Sequence, residues 1–74
     1  MDNLQAMVLT AVKLSKEADL AGISARTRIP LSVVRGVCSY LTRYGYLTLS
    51  QGRYKVTSKA TRALYDWQRE VEII

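Results

Sequence analysis

The amino-acid sequence predicts a mostly helical α+β domain, in which three helices are followed by a β-hairpin and a fourth helix. Apolar residues recur at helical spacing in four segments, and the residues between the third and fourth segments alternate with period two. Pro30 and Gly45 stand at the two ends of the third helical segment, where proline and glycine commonly begin and end helices. A chain of 74 residues buries about 60% of its unfolded surface, enough for one core. We therefore expect a single domain spanning residues 1–74.

Two helices are expected before the proline. The first runs from about Asp2 to Lys16, and either Asp2 or Asn3 is suited to the N-cap position. Its apolar residues form one stripe at helical period: Leu4, Met7, Val8, Ala11 and Val12. The second helix is shorter, about residues 19–27, and begins at another good capping residue, Asp19. We expect it to bury Leu20 and Ile23.

The third helix begins near Pro30, because proline has no N–H group to leave unpaired in a first helical turn. Gly45 ends it, since glycine readily adopts the left-handed conformation just past a helix. The residues expected to face the core are Val34, Val37, Cys38 and Leu41. The opposite face carries small and basic residues, namely Ser32, Gly36, Ser39 and Arg43.

A hairpin and a last helix complete the order. With Gln51 and Gly52 at the turn, Leu49 lies opposite Tyr54 and Leu47 opposite Val56, so that these four apolar residues share one face. The turn type stays open, because glutamine is an unusual residue where a positive φ is needed. The last helix begins at Thr57 or Ser58, both good caps. Its apolar stripe comprises Ala60, Ala63, Leu64, Trp67, Val71 and Ile74.

The charges are distributed unevenly along the chain, whose net charge is +5. The segment from Leu20 to Tyr65 has eight basic residues and no acidic one, while all six acidic residues lie outside it. Because a solvated surface normally mixes both signs, this segment indicates a polyanionic partner, most simply the phosphate backbone of a nucleic acid. The alternative is a basic surface that serves only solubility.

Composition argues against most catalytic and metal sites. The chain has no histidine and one cysteine, which leaves no ligand set for zinc, no disulfide and no Ser-His or Cys-His nucleophile. We expect no enzyme activity, no cofactor and no metal. Cys38 falls on the buried stripe of the third helix and is expected to be an inert thiol, and the five tyrosines are expected to pack at the edge of the core. With only short apolar runs and no recognisable signal peptide, we expect a cytoplasmic, nucleoid-associated protein.

The stretch from Ile23 to Leu47 resembles the helix-turn-helix of winged-helix transcriptional regulators. The positions that carry the resemblance are Ile23, Thr27, Arg28, Ile29, Val34, Leu41, Gly45, Tyr46 and Leu47. The stretch from Gly52 to Ala60 resembles the second wing strand and the helix that follows it. The helix and wing pattern is similar to small prokaryotic, phage or mobile-element regulators of the MarR and PadR type. The turn often has glycine where this chain has Arg28, so the turn takes another form or is strained by about 1 kcal/mol.

The resemblance implies a sequence-specific double-stranded DNA-binding protein, in which the third helix, about residues 30–44, enters the major groove. The wing, residues 47–56, would lie on the backbone or in the minor groove. Arg35 is suited either to a guanine edge or to a phosphate. Gly36 would allow close approach of the helix backbone to DNA; the alternatives are a surface position without function or a contact with another helix. The expected DNA contacts are Arg26, Arg28, Ser32, Val33, Arg35, Gly36, Ser39, Arg43, Gln51, Arg53 and Lys55.

A homodimer is also expected, because the first and last helices carry more apolar surface than so short a chain easily hides. The possible dimer contacts are Leu4, Val8, Trp67, Val71 and Ile74. Packing of these residues within one chain is the alternative. Three other functions remain open: an architectural or recombination-directionality DNA-binding factor, a winged-helix protein–protein interaction module, and an RNA-binding protein.

Overall fold

The computed structural model describes the backbone of residues 1–73 and the side chains of residues 1–70. Its elements follow the predicted order, helix, helix, helix, hairpin, helix, and the predicted fold class is confirmed. Their bounds are α1 Asn3–Ser15, α2 Leu20–Thr27, α3 Leu31–Arg43, β1 Leu47–Ser50, β2 Arg53–Val56 and α4 Ser58–Ile73. Every helix boundary in residues 1–57 lies within about one residue of the position that capping residues, proline and glycine predicted.

Side-chain caps explain where three of the helices begin. Asp2 accepts a hydrogen bond from the Gln5 amide at 2.8 Å and Gln5 returns one to the Asp2 amide, which forms a capping box on α1. Asp19 accepts from the Gly22 amide at 2.7 Å at the start of α2, and Thr57 accepts from the Ala60 amide at 3.2 Å at the start of α4. Each cap satisfies an amide that has no partner inside its helix.

The core is one cluster between the helices and the hairpin. It includes Leu9 and Val12 of α1, Ile23 of α2, and Leu47 and Tyr54 of the hairpin. From α3 and α4 it takes Val34, Cys38, Leu41, Ala60 and Leu64. Full burial of one such aliphatic side chain stabilises the fold by about 1.5–3 kcal/mol. Of the stripe predicted on α3, only Val37 is partly exposed.

The hairpin has the predicted register, with Leu47 opposite Val56 and Leu49 opposite Tyr54. Gln51 and Gly52 both have positive φ, 51° and 77°, which identifies a type I′ turn. Leu49 shares a face with its three partners but is 52% exposed, whereas Tyr54 opposite it is buried.

A third short segment extends the hairpin. Ala18, in the connection between α1 and α2, donates to the Tyr54 carbonyl at 3.0 Å and accepts from the Tyr54 amide at 2.8 Å. This antiparallel bridge fixes the α1–α2 connection against β2, although the two segments are far apart in sequence.

The end of α3 is joined to the start of α4. Gly45 has a φ of 82° just past α3, as predicted for its helix-ending role. Its carbonyl accepts from the Thr57 hydroxyl at 2.7 Å, and the Tyr44 carbonyl accepts from the Lys59 ammonium at 2.8 Å. The Lys59 ammonium also lies 4.6 Å from the centre of the Tyr46 ring. Lys59 therefore has a structural role.

Several tyrosines do not pack at the edge of the core as predicted. Tyr40, Tyr44 and Tyr65 are 48%, 49% and 61% exposed, and the rings of Tyr40 and Tyr44 contact each other at a tilt of 44° with their centres 4.7 Å apart. The prediction failed because tyrosine tolerates a half-exposed position, where its ring packs and its hydroxyl stays hydrated.

Cys38 is fully buried, as expected, and burial raises the pKa of its thiol to about 11.

Within the described residues, no helix combines the length and the apolar composition that crossing a bilayer requires.

Candidate nucleic-acid interface

The outward face of α3 carries all six of its predicted DNA contacts. Ser32, Val33, Arg35, Gly36, Ser39 and Arg43 are exposed. Val34, Cys38 and Leu41 point the opposite way into the core, and this burial fixes how the helix is rotated. A Cβ atom built at Gly36 would have no neighbour within 4 Å, so the helix surface is open at this point. The face is narrow, basic and free of acidic side chains.

Local hydrogen bonds hold the turn between α2 and α3. Arg28 adopts the left-handed conformation, with φ 60° and ψ 21°, and its amide donates to the Ser24 carbonyl at 2.8 Å. The Ser24 hydroxyl donates to the Ile29 carbonyl at 2.6 Å, and the Thr27 hydroxyl accepts from the Ile29 amide at 3.3 Å. The turn thus keeps the geometry that glycine favours and accepts the strain at Arg28, which is one of the two outcomes expected from the sequence.

The wing presents its cations on one face. Arg53 and Lys55 are two residues apart on β2 and both are exposed, whereas Tyr54 between them faces the core. Gln51 is exposed at the tip of the turn. The wing thus offers two basic side chains and one amide to a partner.

One residue of the wing, Tyr54, has a shifted pKa. Burial raises the pKa of the Tyr54 phenol, the nearby Cys38 adds to this rise, and the positive charge of Arg35 opposes it. We call the exposed residues of the turn, of the outward face of α3 and of the wing, taken together, the basic face; it comprises Arg28, Ser32, Val33, Arg35, Gly36, Ser39, Arg43, Gln51, Arg53 and Lys55.

An acidic residue contacts both cations of the wing. Glu17, in the α1–α2 connection, accepts a hydrogen bond from Arg53 at 2.9 Å and lies 3.7 Å from the Lys55 ammonium. The contact of Glu17 with the wing was not predicted, because Glu17 lies outside the acid-free segment and 36 residues before Arg53. No local pattern in the sequence indicates this contact.

Arg26 has a different position from the other predicted contacts. It lines a cleft of about 270 Å³ that also contains Glu17, Asp19 and Arg53, at the base of the wing. It also lines a groove of about 540 Å³ bordered by α1 and Trp67. Two acidic side chains thus lie in the smaller cleft with Arg26.

The predicted dimer contacts are only partly exposed. Leu4 is 43% exposed, but Val8 is completely buried in the core, so the prediction for Val8 was wrong. Val8 lies on the face of α1 that packs against the core, so it is not available to a second copy. Trp67 is half-buried, and Val71 and Ile74 lie outside the residues whose side chains are described.

The larger groove is mainly apolar. It lies along α1 and includes Met7, Leu14 and Trp67. Met7 and Leu14, which were not among the predicted dimer contacts, are 44% and 73% exposed.

Within residues 1–70, no group of three or more acidic or cysteine side chains is arranged to hold a metal ion.

No protein-family model matches the chain, and no curated protein matches it either. Among solved structures, it is similar to BpsR of Bordetella bronchiseptica, whose DNA binding is regulated by 6-hydroxynicotinic acid. The TM-score is 0.90 at 21% identity, over 97% of this chain and 56% of the BpsR chain. It is also similar to PigF in its structure with SAH, with a TM-score of 0.63 at 27% identity, over 74% of this chain and 16% of PigF.

This chain thus spans little more than half the length of the BpsR chain and a small part of PigF. The match to BpsR extends through all six elements, since it covers nearly the whole chain. Together with the helix-turn-helix and the two-stranded wing, this likeness establishes that the chain has a winged-helix fold.

Proposed function

We propose that this protein is a sequence-specific double-stranded DNA-binding protein that regulates transcription, with a helix and wing pattern of the MarR and PadR type. The observation that carries the proposal is the basic face, whose arginine and lysine side chains on α3 and the wing are all exposed. The likeness to BpsR, a protein that binds DNA, supports it. A regulator of this kind acts on the nucleoid in the cytoplasm.

The role of α3 in this proposal is to read base edges in the major groove. That groove admits one α-helix, and small residues let the helix backbone approach its floor. Ser32, Gly36 and Ser39 are small and exposed on this face. Arg35 has the reach and the planar donors to bind guanine O6 and N7, or else a phosphate.

The role of the turn and the wing is to hold the phosphate backbone. Arg28 at the turn and Arg43 at the end of α3 flank the reading surface on the helix side. Arg53 and Lys55 extend it along the wing, where an arginine suits a narrow and strongly negative minor groove. Contacts of this kind supply affinity and orientation, while α3 supplies sequence preference.

The first test is binding to random-sequence duplex DNA, measured by fluorescence anisotropy over a salt series. With about four to six phosphate contacts, the logarithm of the binding constant should fall against the logarithm of the salt concentration with a slope near −4 to −5. Arg35→Ala, Arg43→Ala and Arg53→Ala should each flatten that slope by roughly one if the side chain contacts phosphate.

The matched control is Arg69→Ala on α4. It removes the same charge from an exposed position near Tyr65, outside the basic face, and should leave the slope almost unchanged. Selection of preferred sites from a random duplex pool then tests sequence specificity. Binding that is absent at low salt would contradict the proposal and favour a protein partner for the basic face. A strong bend in circular-permutation assays would favour an architectural role.

We further propose that two copies assemble through α1 and α4, which would place two basic faces on a near-palindromic site. Support comes from the apolar groove along α1 and from the exposure of Leu4, Met7 and Leu14 beside it. Sedimentation equilibrium should give twice the 8.3 kDa chain mass, and Leu14→Ser should weaken the dimer. A monomer at concentrations far above those of DNA binding would contradict this assembly.

A further inference from the structure

The backbone holds Glu17 beside the wing. Lys16, the residue before it, ends α1 in a left-handed conformation with a φ of 68°. Ala18, the residue after it, is bonded to Tyr54 in both directions. Because both neighbours of Glu17 are fixed, its carboxylate is directed along β2 toward the two cations of the wing.

The carboxylate engages both of these cations. One carboxylate oxygen lies 2.9 Å from the Arg53 guanidinium, and the other lies 3.7 Å from the Lys55 ammonium. Arg53 and Lys55 are each 61% exposed, so solvent and a ligand can still reach them. A phosphate group accepts hydrogen bonds from the same kinds of side chain as a carboxylate does.

We propose that Glu17 is a built-in counter-charge of the wing, which orders Arg53 and Lys55 in the free protein and competes with a DNA phosphate for them. This inference rests on the proposed function, since it concerns how tightly the same basic face holds DNA. Glu17 acts through Arg53 and Lys55 and is therefore a positioning residue. It makes the wing easier to release from DNA of any sequence.

The size of the effect follows from the exposure of the pair. Ion pairs at such positions are weak, so that a phosphate can displace the carboxylate, but the remaining negative charge still repels it. Replacing Glu17 by glutamine should raise the affinity for random-sequence duplex DNA about two- to fivefold at low salt. It should also steepen the salt dependence by up to about one in slope, because the wing then neutralises phosphate with its full charge.

The experiment compares Glu17→Gln with Glu70→Gln. Both changes raise the net charge by one, but Glu70 lies on α4 beside Tyr40 and Trp67, outside the basic face. Glutamine retains an oxygen that can accept from Arg53, and thermal unfolding of both variants checks that the fold is intact. A second comparison makes Glu17→Gln in an Arg53→Gln, Lys55→Gln background, where the effect should vanish.

The outcomes separate this inference from the proposed function. If the unaltered protein binds duplex DNA and Glu17→Gln behaves like Glu70→Gln, the inference is wrong and the proposed function stands. If the unaltered protein does not bind DNA, elution from a heparin column still tests the counter-charge. There Glu17→Gln should elute at higher salt than Glu70→Gln, and elution of both at the same salt would overturn the inference.

Discussion

A single arginine shows how this chain makes its helix-turn-helix without glycine in the turn. Arg28 keeps the left-handed conformation because the Ser24 carbonyl and the Thr27 hydroxyl bind the backbone around it. The conformation costs a non-glycine residue about 1–2 kcal/mol. The exposed guanidinium next to α3 offers a reason to retain it, namely contact with a phosphate.

Arg28→Gly should therefore raise the free energy of unfolding by about 0.5–1 kcal/mol, since relief of strain outweighs the flexibility of glycine in the unfolded chain. Arg28→Ala keeps the strain and should bring no such gain. Both variants should weaken DNA binding equally if Arg28 contacts phosphate. Urea unfolding and anisotropy measure the two effects, and a less stable glycine variant would contradict this explanation of the turn.

The buried thiol makes stability fall at high pH. Burial raises the pKa of Cys38 from 9.0 to about 11, so the unfolded chain loses this proton first as pH rises. The stabilising contribution is complete below pH 9 and is lost as the pH rises toward 11. Between pH 8 and pH 10 this amounts to about 1 kcal/mol.

Urea unfolding of the unaltered protein and of Cys38→Ala at pH 8 and pH 10 separates the contribution of the thiol to the free energy of unfolding from that of the other groups that titrate. The alanine variant should lose about 1 kcal/mol less over that interval. Equal losses in the two proteins would show that the thiol is not protected from ionisation. The thiol should also react with maleimide far more slowly in the native protein than in urea.

At the scale of the elements, the junction between the wing and α4 depends on one hydroxyl group. The Thr57 side chain accepts from the Ala60 amide at the start of α4 and donates to the Gly45 carbonyl beyond α3. Lys59 binds the neighbouring Tyr44 carbonyl. These bonds join the end of α3 to the junction between β2 and α4, since β2 ends immediately before Thr57.

Thr57→Ala should lower the free energy of unfolding by about 1–2 kcal/mol, because it removes a helix cap and a bond to another element. For a domain of this size each kcal/mol corresponds to a fall in Tm of roughly 4–8 °C. Thr61→Ala is the control, since that exposed hydroxyl only donates to the Thr57 carbonyl within the same helix. Equal effects of the two substitutions would contradict the role given to Thr57.

At the scale of the whole molecule, exposed cations and an apolar groove lie on different elements. Arg35 and Arg43 are exposed on α3, Arg53 and Lys55 are exposed on the wing, and the apolar groove lies along α1. In the proposed function this arrangement assigns one surface to DNA and another to a second copy.

In the proposed function, the different groove shapes of duplex DNA and duplex RNA should give the protein different affinities for the two. The major groove of an A-form duplex is too narrow for a helix, so duplex RNA can use only the phosphate contacts. We expect the protein to bind duplex DNA roughly tenfold or more tightly than duplex RNA of the same sequence and length at the same salt concentration. Competition anisotropy measures the ratio, and equal affinities would favour a purely electrostatic interaction.

The order of elements, the cap at Asp19, the end of α3 at Gly45 and the register of the hairpin were all predictable from the sequence. These features depend on residues close together in the chain, where periodicity, capping and turn geometry act directly. For the same reason the outward face of α3 followed from its buried face, because a helix has a fixed angle between successive residues.

The tertiary structure alone decided the features that need two distant segments. It buried Val8 completely, left Leu49 and three tyrosines exposed, and placed Glu17 on Arg53, 36 residues away. No local rule predicts such a contact, because the bridge between Ala18 and Tyr54 that directs Glu17 toward the wing forms only when α1, α2 and the hairpin pack around one core. The charge that the wing presents to a partner is therefore a property of the packed molecule.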